Sequence, residues 1–261
     1  MNNPNHDLKL NKFIISTFVL FLSLDWYSHS LVMARIPTVN LLPTSVNNSN
    51  IYQLCKSVTV RVVKPDSAGS GVIIKREGNI YTILTNWHVA QSSNPLILTA
   101  DDEQHQITNA PRQIGDADLA VIEFYSDVEY PTAEIETRMP NIGDIVYTAG
   151  FPSAIAEPNS LELGNEAFRL TKGEILIIPH KSLPQGYRLG YTNTTEMGMS
   201  GSPIFNSEGL LIGIHGRGKH RDPGFGVYLF EDGSEATPAQ LEQMIQSSWG
   251  IPISTYAESV N

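Results

Sequence analysis

Val58-Thr-Val-Arg-Val-Val-Lys-Pro-Asp-Ser-Ala-Gly-Ser-Gly-Val-Ile-Ile-Lys-Arg-Glu-Gly-Asn-Ile-Tyr-Thr-Ile-Leu-Thr85 sets the fold class. Three β-branched runs, Val58–Val63, Gly71–Lys75 and Ile80–Thr85, are separated by Pro, Asp, Gly and Asn, which break regular structure. This is the pattern of short strands joined by turns. The texture continues through Pro95–Thr99 and Leu119–Phe124. It returns in Asp144–Ala149, Gly173–Ile178, Tyr187–Tyr191, Ser202–Phe205, Leu210–Ile214 and Gly226–Phe230. Many short strands at this spacing predict an all-β sandwich or barrels. One helix stands out near the end. Thr237 can cap it, Pro238 suits its first position, and Gln240 completes a capping box. Leu241, Met244, Ile245 and Trp249 would form one apolar stripe, with Gly250 and Pro252 as stops. The expected plan is two β modules followed by a C-terminal helix.

The N-terminal end reads as targeting. Lys9 and Lys12 precede the apolar run Phe13–Leu24, which Asp25 ends. That run fits the apolar region of a signal peptide and is too short to span a bilayer as a helix. Cleavage is expected after Ser30 or Ala34, giving a signal peptide over 1–34, with an uncleaved N-terminal anchor as the alternative. Residues 35–50 read as a linker or short pro-segment, 51–250 as the functional domain with a division near 130–142, and 251–261 as a tail. An exported, secreted or periplasmic protein follows, without a membrane span in its mature form.

The net charge of -10, with no basic cluster, argues against nucleic acid and anionic lipid as partners. The single cysteine, Cys55, excludes an internal disulfide. It reads as a buried apolar residue at the edge of a strand. His105, His180 and His220 have no partner pattern, and no metal or cofactor is expected.

Three residues carry candidate chemistry. Ser200 lies in Gly198-Met-Ser-Gly-Ser-Pro203. A serine hydroxyl attacks only when a base takes its proton. The backbone N–H groups of Gly198 and Ser200 are candidates to face a developing oxyanion. The nucleophile elbow of α/β-hydrolases does not fit, because Ser202 stands where that motif needs a glycine. His88, in Leu84-Thr-Asn-Trp-His-Val-Ala90, is the candidate base, since imidazole titrates near neutrality. Asp118, in Gly115-Asp-Ala-Asp-Leu-Ala120, is the candidate for orienting it. Asp118 directly precedes an apolar strand, whereas Asp116 belongs to the turn before it.

The order His, Asp, Ser, with Ser-Gly-Ser-Gly-Val-Ile-Ile, Leu-Thr-Asn-Trp-His-Val, Asp-Leu-Ala-Val-Ile and Gly-Met-Ser-Gly-Ser-Pro-Ile-Phe, resembles trypsin-like serine proteases of the bacterial type. Pro223–Tyr228 and the helix after it resemble the family's last strand and helix. The resemblance implies two antiparallel six-stranded β-barrels, a triad of His88, Asp118 and Ser200 in the cleft between them, polypeptide substrates, and a monomer. Met199 stands where trypsin-type zymogens carry an activating aspartate, so activation through that ion pair is not expected. With about 60 residues after Ser200, the PDZ module of stress-type relatives is not expected in this sequence.

Thr194 occupies the place of the aspartate that selects basic residues in trypsin. Gly213-Ile-His-Gly216, with Thr195 five residues before Ser200, resembles glutamyl endopeptidases. By that likeness Thr195 and His215 would bind a substrate carboxylate at P1, with Gly216 and Gly226 leaving the pocket walls open. A catalytically inactive binding protein of the same fold is the alternative reading.

Overall fold

The computed structural model describes residues 48–91, 94–153, 167–219 and 228–260. The expected targeting segment, residues 35–47, His220, and Gly226 and Val227 of the strand expected at Gly226–Phe230 lie outside them; of that strand's described residues only Leu229 pairs, in an isolated bridge to Glu235.

A helix, α1 (Asn48–Val58), occupies the end of the expected linker and the place expected for the start of the first strand. Its cause is periodic: Ile51, Cys55 and Val58 recur at helical spacing and are wholly buried on one face. Cys55 is therefore a buried core residue, as its composition implied, but on a helix and not at a strand edge. Burial pushes its thiol up to about 12.

The first strand, β1 (Thr59–Val63), follows directly, with every residue buried. Next come β2 (Ala68–Glu77), β3 (Ile80–Thr85), a single helical turn α2 (Trp87–Ala90), β4 (Leu96–Leu98), β5 (Gln104–Gln106), β6 (Arg112–Gln113) and β7 (Ala120–Tyr125). They form one antiparallel sheet in the order β5-β4-β1-β2-β3-β7-β6. The sheet curls back on itself, because Ile107, just past β5, bridges to Phe124 in β7. It holds seven strands where six were expected. The short polar strands β5 and β6 have none of the β-branched character that signals a strand in sequence.

The second module is a closed barrel of six strands: β8 (Ile145–Gly150), β9 (Arg169–Ile177), β10 (Leu189–Tyr191), β11 (Pro203–Asn206), β12 (Leu211–Arg217) and β13 (Ser248–Pro252), ordered β10-β13-β12-β11-β8-β9. The expected helix, α3 (Pro238–Ile245), is present with its reciprocal capping box between Thr237 and Gln240. It ends earlier than its apolar stripe implied. Trp249 lies in β13, 2% exposed, instead of on the helix. Gly250 and Pro252, read as helix stops, are strand residues. Closure of the barrel explains this: β13 pairs with both β10 and β12. A Cβ at Gly250 would stand 2.3 Å from Ile204 Cδ1 and 3.0 Å from Ile214 O, so glycine lets these strands pack closely there. A last helix, α4 (Ser254–Ser259), forms in the expected tail.

The connection between the modules runs through residues 126–144. It is fastened to both, with Ala133 N–H donating to Ile73 O at 2.8 Å and Leu211 N–H to Glu134 O at 2.8 Å. One apolar cluster spans the junction. It joins Val72, Leu84 and Leu119 of the first module to Phe151, Phe205 and Ile251 of the second. Among the described residues no helix is long and apolar enough to cross a membrane.

Candidate active site

The pairing of β3 with β7 sets Thr85 opposite Ala120. Asp118 lies two residues before that point and His88 three residues after it, so the sheet register alone brings their backbones together. Asn86 leads into α2 in an extended conformation, and its side-chain amide donates to Asp118 O at 2.9 Å. The His88 N–H, in the first turn of α2, donates to Asp118 Oδ1 at 2.9 Å. His88 Nδ1–H donates to Asp118 Oδ2 at 2.6 Å. That contact keeps the ring proton on Nδ1 and leaves Nε2 as an acceptor. The His88 side chain is 41% exposed, whereas Asp118 is only 3% exposed. Asp116 is an exposed turn residue.

A third donor reaches the same carboxylate from the other module. The Tyr187 hydroxyl donates to Asp118 Oδ2. Burial opposes the charge on Asp118. The His88 hydrogen bond and charge, the Tyr187 hydroxyl and the His88 backbone N–H together outweigh it, holding the carboxyl below its ordinary value. Burial, and then the neighbouring Asp118 charge, raise Tyr187 well above the usual phenol range, so it remains a donor. Its ring is covered by Arg217, whose guanidinium carbon lies 4.0 Å from the ring centroid.

Ser200 lies in a tight turn stabilised by Met199 N–H to Glu196 O at 3.1 Å, Gly201 N–H to His215 O at 2.8 Å and Ser202 N–H to Met199 O at 3.0 Å. Met199 is wholly buried and anchors the turn by packing. Gly201 adopts φ +89°, and a Cβ there would stand 1.9 Å from Ser70 O. Among the described residues, the N–H groups of Gly198 and Ser200 meet no acceptor, whereas those of Met199, Gly201 and Ser202 do. The Ser200 hydroxyl donates to Gly216 O at 3.4 Å, a weak contact that turns it toward the second barrel and not toward His88. Gly69 packs against both segments: a Cβ there would lie 2.5 Å from Val89 Cγ1 and 3.1 Å from Ser200 O. The structure therefore joins His88 and Asp118 directly, and brings the Ser200 turn and the residue after His88 against the same glycine.

The residues read as pocket lining have different environments. Thr195 Oγ1 lies 3.4 Å from Ser248 Oγ, and a Cβ at Gly218 would meet it at 3.1 Å. His215 is 2% exposed, with Tyr191 OH on its Nδ1 at 2.5 Å. Burial pushes the Tyr191 phenol far up, so its hydroxyl remains protonated. A Cβ at Gly216 would stand 2.2 Å from the Tyr187 hydroxyl. The glycine is thus explained by the approach of Tyr187 to Asp118. Tyr187, Tyr191, Asn86 and Ser70 were not singled out in the sequence. Tyr187 is 69 residues from Asp118, and no local signal announces that contact.

Residues 69–214 match the family model described as a trypsin-like peptidase domain. A probable periplasmic serine endoprotease DegP-like of Hahella chejuensis is 28% identical over 163 residues, covering 61% of this chain and 31% of its own length. A serine protease Do-like HtrA of Bacillus subtilis is 25% identical over 179 residues, covering 65% and 37%. The chain thus spans about a third of the length of these relatives. An inactive mutant of Rv3671c from M. tuberculosis superposes with a TM-score of 0.56 at 16% identity, over 82% of this chain and 89% of that one. A serine endoprotease from Yersinia pestis gives 0.55 at 22%, over 83% and 65%. These two likenesses concern the fold. The matched family segment runs from the strand beneath Ser200, through His88 and Asp118, to the strand that backs the Ser200 turn, more than half of the sequence, and by it the chain belongs to the trypsin-like peptidase domain family.

Proposed function

We propose that the protein is a serine endopeptidase working through an acyl-enzyme, with Ser200 as nucleophile, His88 as general base and acid, and Asp118 as orienting carboxylate. The observation that carries this reading is the His88–Asp118 pair, held by donors on both carboxylate oxygens, with the residue after His88 and the Ser200 turn both against Gly69. His88 Nε2 takes the Ser200 proton as Oγ attacks the peptide carbonyl, then delivers it to the leaving amine. Asp118 keeps the reactive tautomer and stabilises the imidazolium. The acceptor-free N–H groups of Gly198 and Ser200 support their role as donors to the oxyanion. The 3.4 Å bond from Ser200 to Gly216 is weak enough to be exchanged for one to His88, since catalytic hydrogen bonds tighten in the substrate complex. A water molecule then hydrolyses the acyl-enzyme by the reverse sequence of proton transfers.

Intact-mass measurement after treatment with a fluorophosphonate tests this reading. The wild type gains one phosphonyl group on Ser200 and Ser200→Ala gains none. An unlabelled wild type contradicts catalysis and favours a binding protein of the same fold.

Tyr187 belongs to the same chemistry as a positioning residue. Tyr187→Phe is expected to lower kcat about 10-fold with little change in KM, the worth of one hydrogen bond to a charged group. Steady-state kinetics on one peptide substrate checks this, and an unchanged kcat removes Tyr187 from the account.

A preference for Glu or Asp at P1 is the finer part of the proposal. Thr195 can donate a hydroxyl, and the Tyr191 contact fixes the orientation of the His215 ring. Reporter peptides with Glu, Lys or Phe at P1 are expected to differ in kcat/KM by about 10-fold or more in favour of Glu, the scale of a charge-assisted hydrogen bond. Cleavage after Lys alone contradicts it. The apolar run after Lys9 and Lys12, and a relative named as a periplasmic serine endoprotease, support an exported protein acting on polypeptides.

A further inference from the structure

Ser70 is wholly buried on β2, in the first module, yet most of its polar contacts cross to the second. Its N–H donates to Ser200 O at 2.7 Å. Its hydroxyl donates to Gly198 O at 3.0 Å and accepts from Phe151 N–H at 2.9 Å. Its carbonyl accepts from the Thr85 hydroxyl at 2.7 Å. The Gly198 carbonyl that Ser70 holds lies on the peptide between those that carry the Gly198 and Ser200 N–H groups, and the Ser200 carbonyl lies on the peptide that follows them. Gly198 is at φ +89°, in a region where glycine alone rotates freely, so its own backbone does not select one peptide orientation. External hydrogen bonds must do so. Ser153 N–H to Met197 O at 2.8 Å holds the peptide that carries the Gly198 N–H, and the Ser70 hydroxyl, together with Met199 N–H to Glu196 O at 3.1 Å, holds the Gly198–Met199 peptide that links it to the peptide carrying the Ser200 N–H. Phe151, whose N–H the same hydroxyl accepts, precedes Ser153 by two residues. One side chain therefore ties together the loop that follows β8 and the turn that carries Ser200. Met199, next to Gly198, is apolar and buried and brings no charge to this task.

We propose that Ser70 is a positioning residue for the oxyanion donors, its hydroxyl selecting the Gly198 orientation in which the N–H groups of Gly198 and Ser200 act together. The inference rests on the hydrolase reading above. It concerns charge developed on the substrate oxygen, so it separates transition-state binding from ground-state binding.

The test uses Ser70→Ala in the full chain. A peptide aldehyde places its hemiacetal oxygen between the two N–H groups. The matching peptide alcohol fills the same subsites without it. Ser70→Ala is expected to weaken aldehyde binding and kcat about 100-fold, the scale set by loss of one oxyanion donor, with alcohol binding and KM within about 3-fold of wild type. If near-ultraviolet circular dichroism shows that the alanine variant does not fold, Ser70→Cys keeps a weaker donor in place, and an intermediate loss confined to the aldehyde is expected. Equal losses for aldehyde and alcohol, or none for either, overturn the inference. A wild type that fails to favour the aldehyde over the alcohol overturns the hydrolase reading and the inference together. A wild type that does, with a variant that matches it, overturns the role of Ser70 alone.

Discussion

Ser200→Ala is expected to lower kcat on a peptide substrate by about 10⁶-fold, the scale set by loss of a serine nucleophile that acts as a unit with its base. KM should barely move, because the substitution removes one hydroxyl and leaves every backbone contact of the turn in place. Stability should barely move either. The hydroxyl's only partner among the described residues is Gly216 O at 3.4 Å, a bond too long to contribute much. Comparison of the two proteins on a casein-derived peptide, with thermal melts alongside, checks both halves. Equal activity ends the account.

Asp118→Asn is expected to lower kcat by about 10⁴-fold, for a reason visible in the donor count. Three donors converge on this carboxylate: the His88 N–H, His88 Nδ1–H and the Tyr187 hydroxyl. An amide offers one acceptor oxygen and one donating NH₂. If the NH₂ takes the Oδ2 position, it faces both Nδ1–H and the tyrosine hydroxyl, and the imidazole must adopt the wrong tautomer. If it takes the Oδ1 position, it opposes a backbone N–H. Either way a buried group loses a partner, at about 1–3 kcal/mol, or about 2–12 °C in Tm. The pH dependence has a definite sign. The folded state holds the Asp118 carboxyl below its ordinary value of 3.8, so the unfolded chain binds the proton more readily. The stability this contributes is complete above that value and is lost as pH falls through the lower folded value. The Tm gap between wild type and Asp118→Asn should therefore be wide at neutral pH and narrow in acid. A gap that stays constant contradicts the ionised, hydrogen-bonded state of Asp118.

The sequence was most informative where local pattern and tertiary role coincide. His88 and Asp118 each border a β-branched run, and antiparallel pairing of those runs suffices to bring them together. Thr237 and Gln240 announce their helix start because a capping box is completed within four residues. Three other features escaped for physical reasons. Ser248-Trp-Gly-Ile-Pro252 mimics the end of a helix, since Trp249 extends an apolar stripe and the Gly and Pro read as breakers. Only the barrel partners on either side reveal a strand. The α1 helix was hidden because one buried face on a polar segment resembles a linker running into a strand. Tyr187 and Ser70 reach their partners across 69 and 128 residues, where no spacing rule applies. Gly216 shows the same limit from the other side: its lack of a side chain looks like room for substrate, but the space belongs to Tyr187.

The most direct test of the central claim is a search for the covalent intermediate. The protein is mixed with a slowly deacylating peptide ester, quenched in acid during turnover, and weighed by mass spectrometry before and after proteolytic mapping. The expected result is a species heavier by one acyl group, mapped to Ser200 and absent from Ser200→Ala. Turnover with no adduct, or an adduct mapped to another residue such as Ser202 or Cys55, contradicts it.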